Sequence, residues 1–159
     1  MSRDNIHATG LVLDGHGLIL RGPSGSGKSL LALLLLEAWD GRGKTAKLVS
    51  DDRVEIAAEA GALTLHAPAA IEGLIELRGR GIVQRPFVRS APLHLVVDLV
   101  EATDRMLEED ALTTALLGIT VARCPVPRAG KIDTLHQLLL VGEALRALPA
   151  AGRTRKKTA

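Results

Sequence analysis

Gly22-Pro23-Ser24-Gly25-Ser26-Gly27-Lys28-Ser29, running straight into Leu30-Leu31-Ala32-Leu33-Leu34-Leu35-Leu36, is the stretch from which the fold can be read. Its fixed positions match G-x-x-x-x-G-K-[ST] in full, and it lies between an extended apolar segment and a run of strong helix formers, the context that pattern requires. Three glycines let backbone N–H groups converge on phosphate oxygens, and the N-terminus of the following helix adds partial positive charge. Lys28 supplies a cation for the β- and γ-phosphates, and Ser29 a hydroxyl oxygen for Mg²⁺. Gly22, Pro23, Ser24, Gly25, Ser26, Gly27, Lys28 and Ser29 are therefore expected to bind a nucleotide or another polyphosphate.

Upstream, apolar stretches at 6–13 and 18–20 flank Asp14-Gly15-His16-Gly17, which suits a tight reversal, so a β-hairpin is expected to feed the loop. Downstream, residues 28–39 contain no glycine or proline and predict a helix. Its leucines cover nearly the whole circumference, predicting burial on several sides. After Gly41-Arg42-Gly43, residues 46–50 read as a strand ending at Asp51-Asp52, with short strands at 54–56 and 63–65 around Gly61. A short helix is expected near 69–73, followed by extended Leu74-Ile75-Glu76-Leu77. The loop Arg78-Gly79-Arg80-Gly81 permits close backbone approach and is a site candidate. Residues 93–100 read as a strand, 104–117 as a helix, 119–126 as extended and 131–148 as a closing helix.

A chain of 159 residues with 47% hydrophobic and 24% charged residues has the material for one globular domain and excludes global disorder. Trp39 and Phe87 are its only aromatic residues among Phe, Trp and Tyr, which argues against base-stacking platforms and hence against a nucleic-acid partner. The net charge of +2 depends on Arg153, Arg155, Lys156 and Lys157; without them, sixteen basic residues face eighteen acids. The chain thus divides into a domain at 1–150 and a basic tail at 151–159, read as a frayed terminus. Cys124 is the single cysteine, so no internal disulfide can form, which fits a reducing cytoplasmic setting. The apolar run 30–36 is far shorter than the ~20 residues that span a bilayer, so no membrane segment is expected.

The phosphate loop alone names no reaction. Asn5 is the only asparagine, so an N-K-x-D guanine-reading motif is excluded. Two acidic positions can accompany the loop: Asp51-Asp52 after Leu48-Val49, and Asp98 within the apolar strand 93–100. Adjacent carboxylates at a strand end can divide labour between a nucleophile and a metal, which favours the pair, with a solvated turn as its plain alternative. Asp98 is expected to face solvent instead. His16, His66, His94 and His136 have no metal-ligand spacing and are assigned structural positions.

His7, the loop 22–29, Val49-Ser50-Asp51-Asp52-Arg53-Val54 and Leu74-Ile75-Glu76-Leu77-Arg78-Gly79-Arg80-Gly81-Ile82 follow one another in a way that resembles the HPr kinase/phosphorylase catalytic domain. The likeness covers about residues 5–110 and looks like a short form without the amino-terminal domain of long members. It implies an α/β fold with one mixed sheet, similar to the nucleotide-binding part of phosphoenolpyruvate carboxykinases, rather than a doubly wound sheet. It also implies roles. Lys28 would bind the transferred phosphate, Asp51 would accept the serine proton, and Ser29, Glu76 and Asp52 would form the metal site. Arg78 would steady phosphate or substrate, while His7 and Arg105 would complete the catalytic set. Leu30 stands where better-known members carry an acid, and Pro125-Val126-Pro127-Arg128-Ala129-Gly130 is only faintly similar to the segment associated with dephosphorylation.

The resemblance implies an ATP- and Mg²⁺-dependent serine kinase acting on an HPr-like phosphocarrier protein, with dephosphorylation and homo-oligomer formation left open. Two other readings stay beside it: a small-metabolite kinase, and a module that binds nucleotide without transferring phosphate.

Overall fold

The computed structural model describes residues 2–149. Strands β1 (Ser2–Ile6), β2 (Ala8–Leu13) and β3 (His16–Arg21) precede helix α1 (Lys28–Gly41). Then come β4 (Ala46–Ser50), β5 (Val54–Glu59), β6 (Ala62–His66), β7 (Leu74–Leu77), β8 (Gly81–Gln84) and β9 (Ser90–Val100). Strands β10 (Thr113–Leu116) and β11 (Ile119–Pro127) and helix α2 (Thr134–Arg146) complete the described chain. One mixed sheet runs β1-β5-β6-β9-β3-β2-β4, with β11 also paired to β9 and β10 to β11, while β7 and β8 form a separate hairpin.

The long strand β9 joins the two halves of this sheet. Its first residues, Ser90 to Pro92, pair antiparallel with β6; from Leu93 onward it pairs in parallel with β3 and β11. The sheet curls there, and alternation along the strands feeds two cores. Leu95, Val97 and Leu99 face the helices with Leu18, Leu20, Cys124 and Val126, whereas Ile19, Val96 and Val121 face the inside of the curl with Val54, Ile56 and Leu65. Each leucine taken fully out of water contributes ~1.5–3 kcal/mol, so the alternation fixes the register strongly. Helix α1 turns Leu31, Leu33, Leu35 and Leu36 into the core, with Trp39 against Gly142 of α2, but Leu30 is 47% exposed. Burial all round the helix therefore does not hold at its first turn.

Strand direction positions the site. Strand β2 is antiparallel to both β3 and β4, and β3, β9 and β11 are parallel, so β3, β4, β9 and β11 all point the same way. Their carboxyl ends gather the glycine-rich loop 22–27, Asp51-Asp52, the segment from Glu101 onward and Arg128-Ala129 at one rim, the usual place for ligands in parallel sheets. Strand β2 runs the other way and begins at that rim beside His7.

The expected helix at 104–117 is not formed. Residues 101–108 are exposed and irregular, Glu109–Leu112 is a 3-10 turn, and Thr113–Leu116 is strand β10. Thr113 and Thr114 suit a strand, and Leu117 (φ 49°) with Gly118 (φ 77°) makes the two-residue reversal that returns the chain as β11. The closing helix starts at Thr134, later than the pattern suggested, because Asp133 caps it by accepting from the Leu135 N–H at 2.8 Å. The tail at 151–159 lies outside the described residues.

Candidate functional site

The loop after β3 enters α1 through Gly27, whose φ of 93° belongs to the left-handed region open to glycine. A Cβ added there would lie 2.8 Å from the Ala129 Cβ, so glycine is required twice over. No side chain caps α1 and its first turn carries no acid. The leading N–H groups of the helix are therefore left for an anionic ligand. The Ser26 N–H donates to the Pro23 carbonyl at 3.0 Å, and the Ala129 N–H to the Ser26 carbonyl at 3.3 Å, which ties the loop to the end of β11. Lys28 is buried with Nζ donating to the Gly22 and Pro23 carbonyls at 2.7 and 3.1 Å. An ammonium has three donors, so a third remains for a phosphate oxygen.

Asp51 joins three elements. Its Oδ1 accepts from Ser29 Oγ at 2.8 Å and from Thr9 Oγ1 at 2.9 Å, while Oδ2 accepts from the Glu76 N–H at 3.2 Å. The phosphate loop, the start of β2 and the β7–β8 hairpin thus meet on one carboxylate. Asp52 is turned elsewhere: its φ is 67° and the Arg53 N–H closes onto the Asp51 carbonyl at 2.8 Å, a three-residue γ-turn of strained type. Its carboxylate pairs with His7 Nε2, and its N–H reaches Thr9 Oγ1 at 3.4 Å. The two neighbouring acids are therefore held apart by backbone strain and have different partners.

A cleft of about 540 Å³ opens between these parts. It is lined by Lys28, Ser29, Asp51, Asp52, Glu76 and Arg78 among others, so most of the expected site residues share one cavity. Glu76 is exposed on β7 and Arg78 lies at the hairpin turn. His7 reaches the cleft through Asp52, and Arg105 sits in the exposed segment 101–108 and does not line the cleft. No group of three or more His, Cys, Asp or Glu side chains forms a metal cage among the described residues. Mg²⁺ in phosphoryl-transfer sites usually takes only one or two carboxylates and completes its shell with phosphates and water. The hard oxygen atoms of Ser29, Asp52 and Glu76 fit that demand.

Asp98 departs from its expected solvent-facing position. It is half-buried and accepts from Arg21 Nε and Nη2 at 2.7 and 2.9 Å and from Arg123 Nε at 2.5 Å. Burial alone would raise its pKa; the Arg21 and Arg123 bonds outweigh that and hold it below the ordinary carboxylate value. Sequence reading missed Thr9 and Ala129. The lone hydroxyl of Thr9 in the otherwise apolar run 8–13 was the signal available for the first, which the structure buries fully; nothing local marked the second.

The family of HPr Serine kinase C-terminal domains matches residues 1–135. This chain belongs to that family. It is 33% identical over 131 residues to the HPr kinase/phosphorylase of Bordetella pertussis, covering 74% of this chain and 40% of the relative. Likeness to the HPr kinase/phosphorylase of Chlorobium phaeobacteroides is 34% over 134 residues, covering 76% and 40%. The Hpr(Ser) kinase/phosphatase of Coxiella burnetii superposes with a TM-score of 0.71 at 29% identity, over 90% of this chain and 94% of that one. The mixed-sheet α/β fold expected from the resemblance is thus the fold of the family, although the matches span about 40% of the curated relatives' length. No helix among the described residues is long and apolar enough to cross a membrane.

Proposed function

We propose that this domain is a cytoplasmic serine kinase that transfers the γ-phosphoryl group of ATP, with Mg²⁺, to a serine of an HPr-like phosphocarrier protein. The observation that carries the reading is Asp51, whose carboxylate joins the phosphate loop through Ser29 and the hairpin through the Glu76 N–H. A proton acceptor and a phosphate cradle thereby occupy one cleft.

Phosphoryl transfer asks for positioning and charge neutralisation more than covalent chemistry. Lys28 and the uncapped N–H groups of α1 hold the phosphates, and Arg78 adds charge from the opposite wall. Ser29 and Glu76, with Asp52, would hold Mg²⁺, which would neutralise charge on the phosphates. Asp51 Oδ1 already accepts two hydroxyls, so Oδ2 is the oxygen with room for the serine proton. An ordinary aspartate is a weak base for a serine hydroxyl, so it orients the nucleophile and takes the proton late, as the new P–O bond forms. In the reverse direction, if the domain also dephosphorylates, inorganic phosphate would form the new P–O bond as the bond to the serine oxygen breaks, and Asp51 would return the proton to that oxygen.

The test offers radiolabelled ATP and Mg²⁺ to the protein with an HPr-like acceptor, with a panel of small hydroxyl metabolites, and with no acceptor. Label on an acceptor serine, lost with Lys28→Ala, is the expected result. Label on a metabolite alone would replace this reading with a metabolite kinase, and binding with no transfer would leave a nucleotide-responsive module.

A further inference from the structure

Asp98, Arg21 and Arg123 lie outside the phosphate cleft, yet they stand where it meets the sheet. They come from three adjacent strands: Arg21 ends β3 opposite Asp98 of β9, and Arg123 lies on β11 opposite Val96, two residues before Asp98. Their side chains are 30%, 15% and 23% exposed in the order Arg21, Asp98, Arg123. Well-packed apolar residues at such places are often as stabilising as a buried ion cluster, so stability alone is a poor account of this one. What it provides is fixed geometry, since a guanidinium fork on a carboxylate sets both distance and plane.

Each arginine reaches a different part of the site. Arg21 immediately precedes Gly22, the residue whose carbonyl holds Lys28. Arg123 uses its other arm, Nη1, to donate to the Ala111 carbonyl at 3.0 Å, holding the 3-10 turn that ends the exposed segment. The beginning of that segment is held too, where Glu101 pairs with Arg128 at 2.5 Å and Lys131 at 3.5 Å, next to Ala129 and its bond to the loop. Residues 101–112 are thus pinned at both ends to groups that also fix the phosphate loop, and they leave β9 beside it: a Cβ on Gly22 would lie 3.0 Å from the Leu99 Cβ.

We propose that Arg21, Asp98 and Arg123 are positioning residues that lock the phosphate loop and the 101–112 segment into one geometry. Arg21 serves nucleotide affinity through the loop. Arg123 serves the transfer step by fixing where the 101–112 segment leaves β9 beside the loop. Only this kinetic half rests on the phosphotransfer reading; the structural linkage does not.

The test compares Arg21→Lys, Arg123→Lys and Asp98→Asn with wild type by calorimetry with a Mg²⁺–ATP analogue, by kcat and KM for transfer, and by the rate of tryptic cleavage after Arg105. A lysine keeps the charge and loses the fork. Arg21→Lys is expected to raise Kd and KM for nucleotide about tenfold, the order of one charge-assisted hydrogen bond, with kcat held. Arg123→Lys is expected to speed cleavage after Arg105 and lower kcat by about tenfold each, with Kd unchanged. Asp98→Asn should show both effects; should it fail to fold, the two lysine variants decide the matter. Variants that lower only the melting temperature, with Kd, kcat and cleavage as in wild type, would overturn the proposal. A wild-type protein that binds nucleotide but transfers nothing would defeat the kinase reading, and the Kd and cleavage shifts would still decide the linkage.

Discussion

Asp51→Asn separates binding from chemistry, because it keeps the volume of the side chain and removes the proton-accepting charge. In the native site Oδ1 takes the Ser29 and Thr9 hydroxyls and Oδ2 takes the Glu76 N–H. An amide has one acceptor atom and one donor atom. With its oxygen toward the hydroxyls, its NH₂ faces the Glu76 N–H, donor against donor; with the amide reversed, both hydroxyls must turn round and accept. At least one bond is lost or weakened, so stability should fall by about 1.5–3 kcal/mol, the range for hydrogen bonds to a charged acceptor. Loss of a general base lowers transfer by roughly 10²–10⁴-fold, equivalent to about 3–5 kcal/mol of barrier. Nucleotide binding should hold within about threefold, since Lys28 and the helix N–H groups are untouched. Calorimetry with an ATP analogue, thermal melting and single-turnover transfer to an HPr-like acceptor on one preparation give all three quantities. A folded Asp51→Asn protein that transfers phosphate at the wild-type rate would refute the base assignment and move it to Asp52.

Glu76→Gln keeps shape and loses ligand charge, so it should raise the Mg²⁺ concentration needed for half-maximal transfer; an unchanged titration would place Glu76 outside the metal site. Gly27→Ala meets both a φ of 93° and a Cβ contact of 2.8 Å with Ala129, and should cost about 1–3 kcal/mol in urea unfolding. Adding Ala129→Gly should restore the steric share and leave the backbone share; full recovery would show that the φ angle is unstrained. Asp98 is held below its usual pKa by Arg21 and Arg123 against the effect of burial. Its stabilisation is therefore present above the unfolded value of ~3.9 and lost as pH falls through the lower folded value. The stability gap between wild type and Asp98→Asn should be open at pH 7 and close in strong acid; a gap independent of pH would contradict the ion cluster. Cys124, buried and pushed up to about 11 by that burial, should resist alkylation at pH 8 until the chain unfolds, and rapid labelling of folded protein would disprove its enclosure.

The legible parts of the chain were those where a local pattern and a local structure coincide. The glycine-rich loop 22–27 leading into α1 is such a case in its conformation, because Gly25 and Gly27 set its backbone path within a few neighbouring residues. The hairpin before it and the strand ending at Asp51 followed from alternation and turn chemistry. Residues 104–117 show the opposite condition. Their leucines and acids suit a helix locally, but Thr113 to Leu116 gains four cross-strand partners on β11 once Leu117-Gly118 reverses the chain. Tertiary pairing outweighs a propensity difference of ~1 kcal/mol or less per residue. Gly118 was the one local sign of that turn.

Asp98 was misread for a related reason, and the reason bears on how this site is built. A charged residue inside an apolar strand reads as solvent-facing when only its own strand is in view. Its partners come from β3 and β11, separated from it by 77 and 25 residues, so no local window contains them. The same holds for Asp51, whose three donors lie 42, 22 and 25 residues away on β2, α1 and β7. What the two acids share is position at the rim where strands of one direction end. Asp51 draws helix α1, the start of β2 and the β7–β8 hairpin onto one carboxylate; Asp98 draws the end of β3 and the turn beyond β9 onto another, through Arg21 and Arg123. On the proposed phosphotransfer reading, the phosphoryl group must be held in line with its acceptor to within a fraction of an ångström, and a site assembled from strand ends meets that demand when those ends are cross-tied. Two acids, each bridging elements distant in sequence, provide the cross-ties, which is why their function depends on the fold that brings the partners to them.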